Sequence, residues 1–219
     1  MLDAALIEQL KGVFSKLEGS VELVVETSQH PDQVELLDML EGVASASSKI
    51  SVVKAPPVPG ASQQVPRFSV HHNGRFTGIR FTGIPGGHEF SSLVLAILNS
   101  DRKGKMPDEV LQARIQSIKG PIRVKTFVSL TCENCPDVVQ ALNQMAILHS
   151  DFEHEMVVGN YAQEEIDRLK IQGVPSVVVQ DKLIHSGRAS VLELVEKLEQ
   201  TFGISDGQVA TVNKDLGEW

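Results

Sequence analysis

The stretch Ser129–Asp137, SLTCENCPD, holds the only two cysteines of this 219-residue chain. It follows the strand-like run IRVKTFVSL. Pro136 favours the start of a helix, because the N–H groups of the first helical turn have no acceptor within the helix and proline loses nothing by lacking one. Cys132 is therefore predicted at or just before a helix N-terminus, where unpaired N–H groups and the helix dipole favour a thiolate.

The second cysteine, Cys135, lies one helical turn later and close enough to close a disulfide with Cys132. The more exposed Cys132 is predicted to attack a substrate disulfide, and Cys135 is predicted to resolve the mixed disulfide that results. Glu133 places a negative charge beside the thiolate, so we expect a reductant rather than a strong oxidant. The motif thus indicates dithiol–disulfide exchange.

Two other interpretations of the cysteine pair stay open on the residues alone. Cys132, Cys135, His149 and His154 are spaced C-x2-C-x13-H-x4-H, close to a zinc-finger pattern. The predicted helix at Pro136 and the strand-like alternation after Asp151 argue against a finger, whose histidines share one helix. A structural pair without redox chemistry is the second alternative.

The bulk composition limits the partners of the chain. A hydrophobic content of 42% supports a folded core, and a net charge of −8 argues against nucleic acid or an anionic membrane as main partner. The first fourteen residues are typical of an amphipathic helix rather than a secretion signal. No apolar run reaches the ~20 residues of a membrane span, and we expect a cytoplasmic protein.

The order strand, helix, strand, hairpin, helix occurs twice, which predicts two copies of one unit. In the first copy a helix over 32–44 is expected to bury Val34, Leu37, Leu40 and Ala44, and Asn73-Gly74 is a hairpin signal. A connecting helix is expected within 100–120. The pattern is typical of an α/β fold with mixed sheets and helices on both faces.

The two copies also match in amino-acid sequence. Val65-Pro66 and Val174-Pro175 each open the hairpin of their half. In the same register, Thr27 takes the place of Cys132 and His30 takes the place of Cys135. The first copy therefore lacks the redox pair.

The C-x-x-C-P motif, followed by Gly173-Val174-Pro175 before a hairpin, resembles the thioredoxin/glutaredoxin superfamily. Two such units with cysteines only in the second are similar to the N-terminal domain of the alkyl hydroperoxide reductase F subunit. The matching stretches include GIPGGHEF, SLTCENCPDVVQALNQMA, GVPSVVV and SGRASVLELVEKLE, and the resemblance covers about residues 1–203.

The resemblance implies the roles of several residues. It implies that Cys132 and Cys135 are catalytic and that Glu89, from the first half, exchanges protons with the dithiol. Alternatively, Glu89 is an ordinary acidic residue in the first turn of a helix, where the helix dipole favours a negative charge. It further implies that Val174, a cis Pro175 and the neighbouring Thr131 contact the substrate.

The resemblance also implies an organisation and a set of partners. We expect a thioredoxin-like domain without cysteines at 1–100, a thioredoxin-like domain with the redox pair at 101–203, and a linker at 204–219. No G-x-G-x-x-G follows a strand, so FAD and NAD(P)H are expected on a flavoprotein reductase module elsewhere. The electron acceptor is expected to be a peroxiredoxin, and the resemblance allows a homodimer of the full-length protein. The alternative function is a stand-alone glutaredoxin-like general disulfide reductase or isomerase.

Overall fold

The fold is built on a single eight-stranded mixed sheet in the order β2-β1-β3-β4-β6-β5-β7-β8. We describe residues 2–57 and 65–205 from a computed structural model. Strands β1 to β4 come from the first sequence copy and β5 to β8 from the second. The mixed α/β architecture is therefore the one that the sequence predicts.

The first copy forms four strands and three helices. The strands are β1 Val21–Glu26, β2 Ile50–Ala55, β3 Arg67–His72 and β4 Arg75–Thr82, and the helices are α1 Ala4–Phe14, α2 Gln33–Ala44 and α3 Phe90–Ser100, the last preceded by a 3-10 turn at Gly87–Glu89. Asn73 (φ 48°) and Gly74 (φ 75°) make the predicted hairpin turn.

The second copy forms the same series after a connecting helix. That helix is α4 Glu109–Ser117, followed by β5 Ile122–Val128, α5 Cys135–Leu148, β6 Phe152–Val158, a 3-10 turn Gly159–Tyr161, α6 Gln163–Leu169, β7 Ser176–Val179, β8 Lys182–Ser186 and α7 Val191–Phe202. Ser190 and Glu193 close a capping box at the start of α7.

Parallel pairing of β4 with β6 joins the two copies, in register from Ile79 opposite His154 to Thr82 opposite Val157. Strands β1, β4, β6 and β5 run in one direction, since β1 and β4 both pair antiparallel with β3 and β6 pairs parallel with β4 and β5. Their carboxyl ends consequently share one edge of the sheet. The segments that follow these strands, from both copies, meet there.

Helices cover both faces of the second half of the sheet. Side chains alternate along a strand, so Phe127 points away from its neighbours Thr126 and Val128. Phe127, Val157 and Val178 form a small cluster under α6, whereas the main core packs α5 and α7 on the other face. Within α5, Val138, Leu142 and Met145 are all fully buried.

The predicted buried face of α2 is wrong in part. Val34 is 67% exposed, and the residues buried under α2 are Leu36, Leu40 and Val43. The buried stripe is turned by one residue relative to the predicted one, and Gln33 at its start faces inward and donates a 2.9 Å hydrogen bond from Nε2 to the Glu26 carbonyl.

The chain after α7 returns to the connecting segment. Ile204 forms an antiparallel bridge with Ile118, and the Ser205 N–H donates to the Ser117 carbonyl over 2.8 Å. Most of the predicted linker, residues 206–219, lies outside the described residues. Across 2–57 and 65–205, no helix combines the length and apolar character needed to cross a bilayer.

Candidate active site

The cysteine pair lies where β5 ends and α5 begins. Cys132 and Cys135 form a disulfide, with Cα atoms 5.5 Å apart. Cys135 is the first residue of α5 and is fully buried, whereas Cys132 is half-buried. Pro136 lies in the first turn, as its missing N–H favours. Only Cys132 is therefore reachable by a disulfide on another molecule.

The loop before Cys132 is held by its own hydrogen bonds. The Cys132 N–H donates to the Ser129 carbonyl over 3.0 Å, and the hydroxyls of Ser129 and Thr131 lie 3.1 Å apart. Thr131 is exposed next to the half-buried sulfur. The loop thus presents Cys132 at the carboxyl edge of the sheet, in front of the N-terminus of a 14-residue helix.

A second segment of the same half closes over Cys132. The Val174 carbonyl oxygen lies 3.8 Å from Cys132 Sγ, and the Val174–Pro175 peptide bond is cis. The Pro175 carbonyl accepts a 2.8 Å hydrogen bond from Gly187 N–H, which ties this turn to the end of β8. The predicted substrate-binding residues Thr131, Val174 and Pro175 therefore adjoin Cys132.

Glu89 reaches this region from the first half of the chain. The segment after β4 crosses to the dithiol loop, where His88 N–H donates to the Leu130 carbonyl over 3.0 Å. A Cβ on Gly87 would lie 2.5 Å from the same carbonyl oxygen, and the Gly87 φ of +53° also suits glycine. Leu130 is two residues before Cys132, so Glu89 is anchored to the loop that carries the redox pair.

The carboxyl group of Glu89 is in an unusual environment. The side chain is 0% exposed, and neither carboxyl oxygen makes a hydrogen bond to the described residues. Burial raises the pKa of Glu89 to about 7, and the nearby Ser92 hydroxyl offsets only part of that rise. A first-turn helix acid would be solvated, so burial distinguishes Glu89 from an ordinary acid of this kind. Near neutral pH this group can both take up and release a proton.

The cysteine-free half has a different set of side chains at the equivalent place. His30 N–H donates to the Ser28 hydroxyl over 3.0 Å, and the His30 ring meets Tyr161 edge to face with centroids 5.5 Å apart. The Tyr161 hydroxyl donates to Asp32 over 2.8 Å. Burial, followed by the Asp32 carboxylate, raises the pKa of Tyr161.

Sequence reasoning missed Tyr161. It is the only tyrosine of the chain and directly follows β6, at the same edge as Cys132 and His30. Its ring covers Gly83, where a Cβ would lie 2.8 Å from Tyr161 Cδ2. A single large amphipathic ring after a buried parallel strand was the signal that could have indicated it.

The two histidines of the zinc-like spacing have other partners. The Asp151 N–H donates to His149 Nδ1, so His149 Nε2 carries the proton and donates to the Ile118 carbonyl over 2.7 Å. His154 is enclosed between the Thr126 hydroxyl and Asn143 Oδ1, at 2.8 and 2.7 Å. Complete burial lowers the pKa of His154 to about 3. Within 2–57 and 65–205, no three His, Cys, Asp or Glu side chains are grouped to hold a metal ion.

The comparisons with known proteins agree with this geometry. A thioredoxin-domain family model matches residues 122–200. The chain also has a fold similar to a protein disulfide oxidoreductase from Aeropyrum pernix, with a TM-score of 0.79 at 18% identity over 95% of this chain and 98% of that one. At this identity the similarity shows the fold.

Two matches are more specific. The F subunit of alkyl hydroperoxide reductase in Staphylococcus epidermidis is 37% identical over 206 residues, covering 94% of this chain and 39% of the relative, so the chain spans about two fifths of that protein. The NTD_N/C domain of alkylhydroperoxide reductase from Enterococcus faecalis is 30% identical, with a TM-score of 0.82 over 90% of this chain and all of that chain. The chain therefore belongs to the family of alkyl hydroperoxide reductase F subunits and corresponds to their N-terminal domain.

Proposed function

We propose that the chain is a dithiol–disulfide electron carrier that reduces the disulfide of a peroxiredoxin and so supports peroxide removal. The observation that carries this function is the Cys132–Cys135 disulfide, with one sulfur accessible and the other buried at the start of α5. That asymmetry separates an attacking cysteine from a resolving one.

The exchange proceeds in two steps from the reduced pair. The Cys132 thiolate attacks one sulfur of the substrate disulfide, that S–S bond breaks, and the departing thiolate takes a proton. The Cys135 thiol then loses its proton and attacks Cys132 Sγ, which forms the Cys132–Cys135 bond and releases the second substrate thiol. Two electrons pass to the substrate, and the pair ends as the observed disulfide.

Glu89 supplies the proton transfer that this cycle needs. A resolving thiol in a buried position must lose a proton before it attacks, and the same proton must return when the pair is reduced again. A carboxyl group with a pKa of about 7 is suited to both directions near neutral pH. The anchoring of His88 and Gly87 on Leu130 supports this role, because it fixes the segment that carries Glu89.

The residues around Cys132 form the substrate-binding surface. An extended segment that carries the substrate disulfide is proposed to hydrogen-bond the main chain at Val174, while Pro175 and Thr131 flank the sulfur. The first half contributes Asp32 and Glu89 to this edge of the sheet, and Tyr161 of the second half hydrogen-bonds Asp32 there. The proposed domains are 1–100 without cysteines and 101–203 with the redox pair, followed by a linker at 204–219.

The electron donor is a flavoprotein reductase module with FAD and NAD(P)H. The relatives' additional length supports a donor on the same polypeptide, since this chain spans 39% of the S. epidermidis protein. A stand-alone general reductase or isomerase would need no such module. Supplying the flavoprotein module as a separate chain, and measuring NADH-dependent reduction of Cys132–Cys135, distinguishes the two functions.

A trapping experiment tests the proposed function. Cys135→Ser removes the resolving thiol, so Cys132 should hold an oxidised peroxiredoxin as a mixed disulfide that reductant releases. Cys132→Ser, which leaves only the buried thiol, is the matched control and should trap nothing. A folded Cys135→Ser protein that captures no peroxiredoxin would overturn the proposal.

A further inference from the structure

A cleft of about 430 Å³ lies at the edge of the sheet opposite the cysteine pair. It opens between the start of β4, at Arg75–Gly78, and the start of β6, at Asp151–Glu153. Both strands run parallel to β5, and Cys132 follows the carboxyl end of β5, so the cleft and the dithiol are at opposite ends. A seven-residue strand separates them by about 20 Å.

The cleft lies next to the point where β4 and β6 begin to pair. Their pairing begins only at Ile79 opposite His154. Just before that pair, Gly78 approaches Phe152 so closely that a Cβ would collide with the Phe152 carbonyl oxygen. The apolar residues Ala146, Ile147 and Phe152, next to this contact, also line the cleft.

The cleft is lined by two arginines that, unlike the other arginines of the chain, form no ion pair within its described part. Six of the eight arginines form ion pairs with carboxylates, namely Arg67, Arg80, Arg114, Arg123, Arg168 and Arg188. The other two, Arg75 and Arg102, have no carboxylate partner among the described residues, and both line the cleft. In a chain of net charge −8, two unneutralised arginines at one cleft indicate an anionic ligand.

The acidic groups of the cleft do not neutralise these arginines. Asp151 pairs with Arg123 at 3.2 Å, and Glu153 contacts Arg123 at 3.3 Å and also pairs with Arg80. The excess positive charge therefore belongs to Arg75 and Arg102. Guanidinium groups stay charged at all physiological pH values and bind oxyanions through paired N–H donors.

We propose that this cleft binds a small organic phosphate. A phosphate group offers three oxygens and can meet two guanidinium groups at once, whereas a carboxylate is occupied by one bidentate arginine. The volume lies within the range of small-molecule sites, and the apolar wall of Ala146, Ile147 and Phe152 suits an organic moiety attached to the phosphate. The site does not require the dithiol and is independent of the function proposed above.

Binding of adenosine monophosphate to the full chain tests the proposal, with inorganic phosphate and adenosine as separate probes. Calorimetric titration should show adenosine monophosphate binding more tightly than either probe, with an affinity that falls as salt rises. Arg75→Gln combined with Arg102→Gln should weaken binding at least tenfold, about the effect of losing one charge-assisted hydrogen bond. Both side chains are exposed, so the double variant should fold.

Arg168→Gln is the control, because it removes an exposed, paired arginine on α6 outside the cleft and should leave the affinity unchanged. No binding at millimolar adenosine monophosphate, or equal binding by the double variant, would overturn the site. Adenosine binding as tightly as its monophosphate would overturn the role of the phosphate. Inorganic phosphate binding as tightly as adenosine monophosphate would overturn the organic part of the assignment.

Discussion

The Tyr161 hydroxyl donates a 2.8 Å hydrogen bond to the Asp32 carboxylate, and this bond ties the turn after β6 to the start of α2. It links the two halves of the chain at the edge that carries Cys132. The same ring packs on Gly83, at the beginning of the segment that leads to Glu89. Tyr161 thus holds this edge of the sheet together through both its hydroxyl and its ring, and the two contributions can be separated.

Tyr161→Phe should lower the free energy of unfolding by about 1 kcal/mol, because it removes one hydrogen bond and keeps the ring. Tyr161→Ala should cost about 3 kcal/mol, since it also leaves Gly83 and His30 without the packing of the ring. Urea unfolding of the oxidised protein measures both values. Equal stability of wild type and Tyr161→Phe would show that the Asp32 bond contributes nothing net.

Glu89→Gln should stabilise the protein at neutral and alkaline pH. The folded-state pKa of about 7 lies above the ordinary value of 4.5, so the wild type loses stability as pH rises between these two values. That loss is about 3 kcal/mol at most, whereas a glutamine cannot ionise. The difference in unfolding free energy between variant and wild type should therefore increase from pH 4.5 to pH 7 and then level off. A difference independent of pH would mean that Glu89 titrates normally.

The same substitution should slow the redox reaction. Without a group that exchanges protons near neutral pH, the rate of thiol–disulfide exchange should fall about a hundredfold, the lower end of the range for general acid–base catalysis. The pH–rate profile of the wild type should show a step near pH 7, where Glu89 gains or loses its proton, and this step should be absent from the variant. Glu164→Gln, an exposed acid on α6, is the control and should keep both the rate and the step. A variant that is more stable but slower would show that the buried carboxyl group is retained for function.

The local elements of the fold could be predicted from sequence because their signals are local. Asn73-Gly74 indicates its turn, and the 3.6-residue spacing of Val138, Leu142 and Met145 indicates α5 and its buried face. The same reasoning failed at Val34, which is exposed because α2 buries the adjacent apolar stripe of Leu36, Leu40 and Val43. Two apolar stripes overlap at Leu40, and the sequence pattern alone did not decide between them.

The contacts between the two halves could not be predicted, because no local sequence pattern marks them. The pairing of β4 with β6 joins residues about 75 apart, and the partner of Tyr161 is 129 residues away in sequence. The repeat predicted two equal units but not the sheet that they share. The resemblance pointed to Glu89, whereas its burial and its two hydrogen-bond-free oxygens follow only from how the halves pack.

His154 should make the protein sensitive to acid. Its folded-state pKa of about 3 lies below the ordinary 6.5, so the buried neutral ring contributes stability that is complete above pH 6.5 and is lost as pH falls. The loss should approach 1.4 kcal/mol per pH unit, about the value for one proton. His154→Gln should unfold with a flatter pH dependence between pH 6.5 and pH 4, measured against His88→Gln as an exposed control. Parallel curves for His154→Gln and wild type would contradict this assignment.

Three glycine substitutions separate backbone strain from displacement of Glu89. Gly173→Ala meets no atom within 4 Å and should be nearly neutral. Gly74→Ala also has open space but a φ of +75°, so it should cost about 1 kcal/mol of unfolding free energy. Gly87→Ala adds a Cβ 2.5 Å from the Leu130 carbonyl oxygen at a φ of +53°, and should cost clearly more than Gly74→Ala.

Gly87→Ala should also push the Glu89 segment away from the dithiol loop, because the main-chain oxygen of Leu130 cannot yield like a flexible side chain. Water should then reach the carboxyl group, and the step in the pH–rate profile should shift from near pH 7 towards 4.5. Gly74→Ala, at the far edge of the sheet, should lose stability without moving that step. A Gly87→Ala protein that is destabilised but keeps its step at pH 7 would separate the Leu130 contact from the protonation of Glu89.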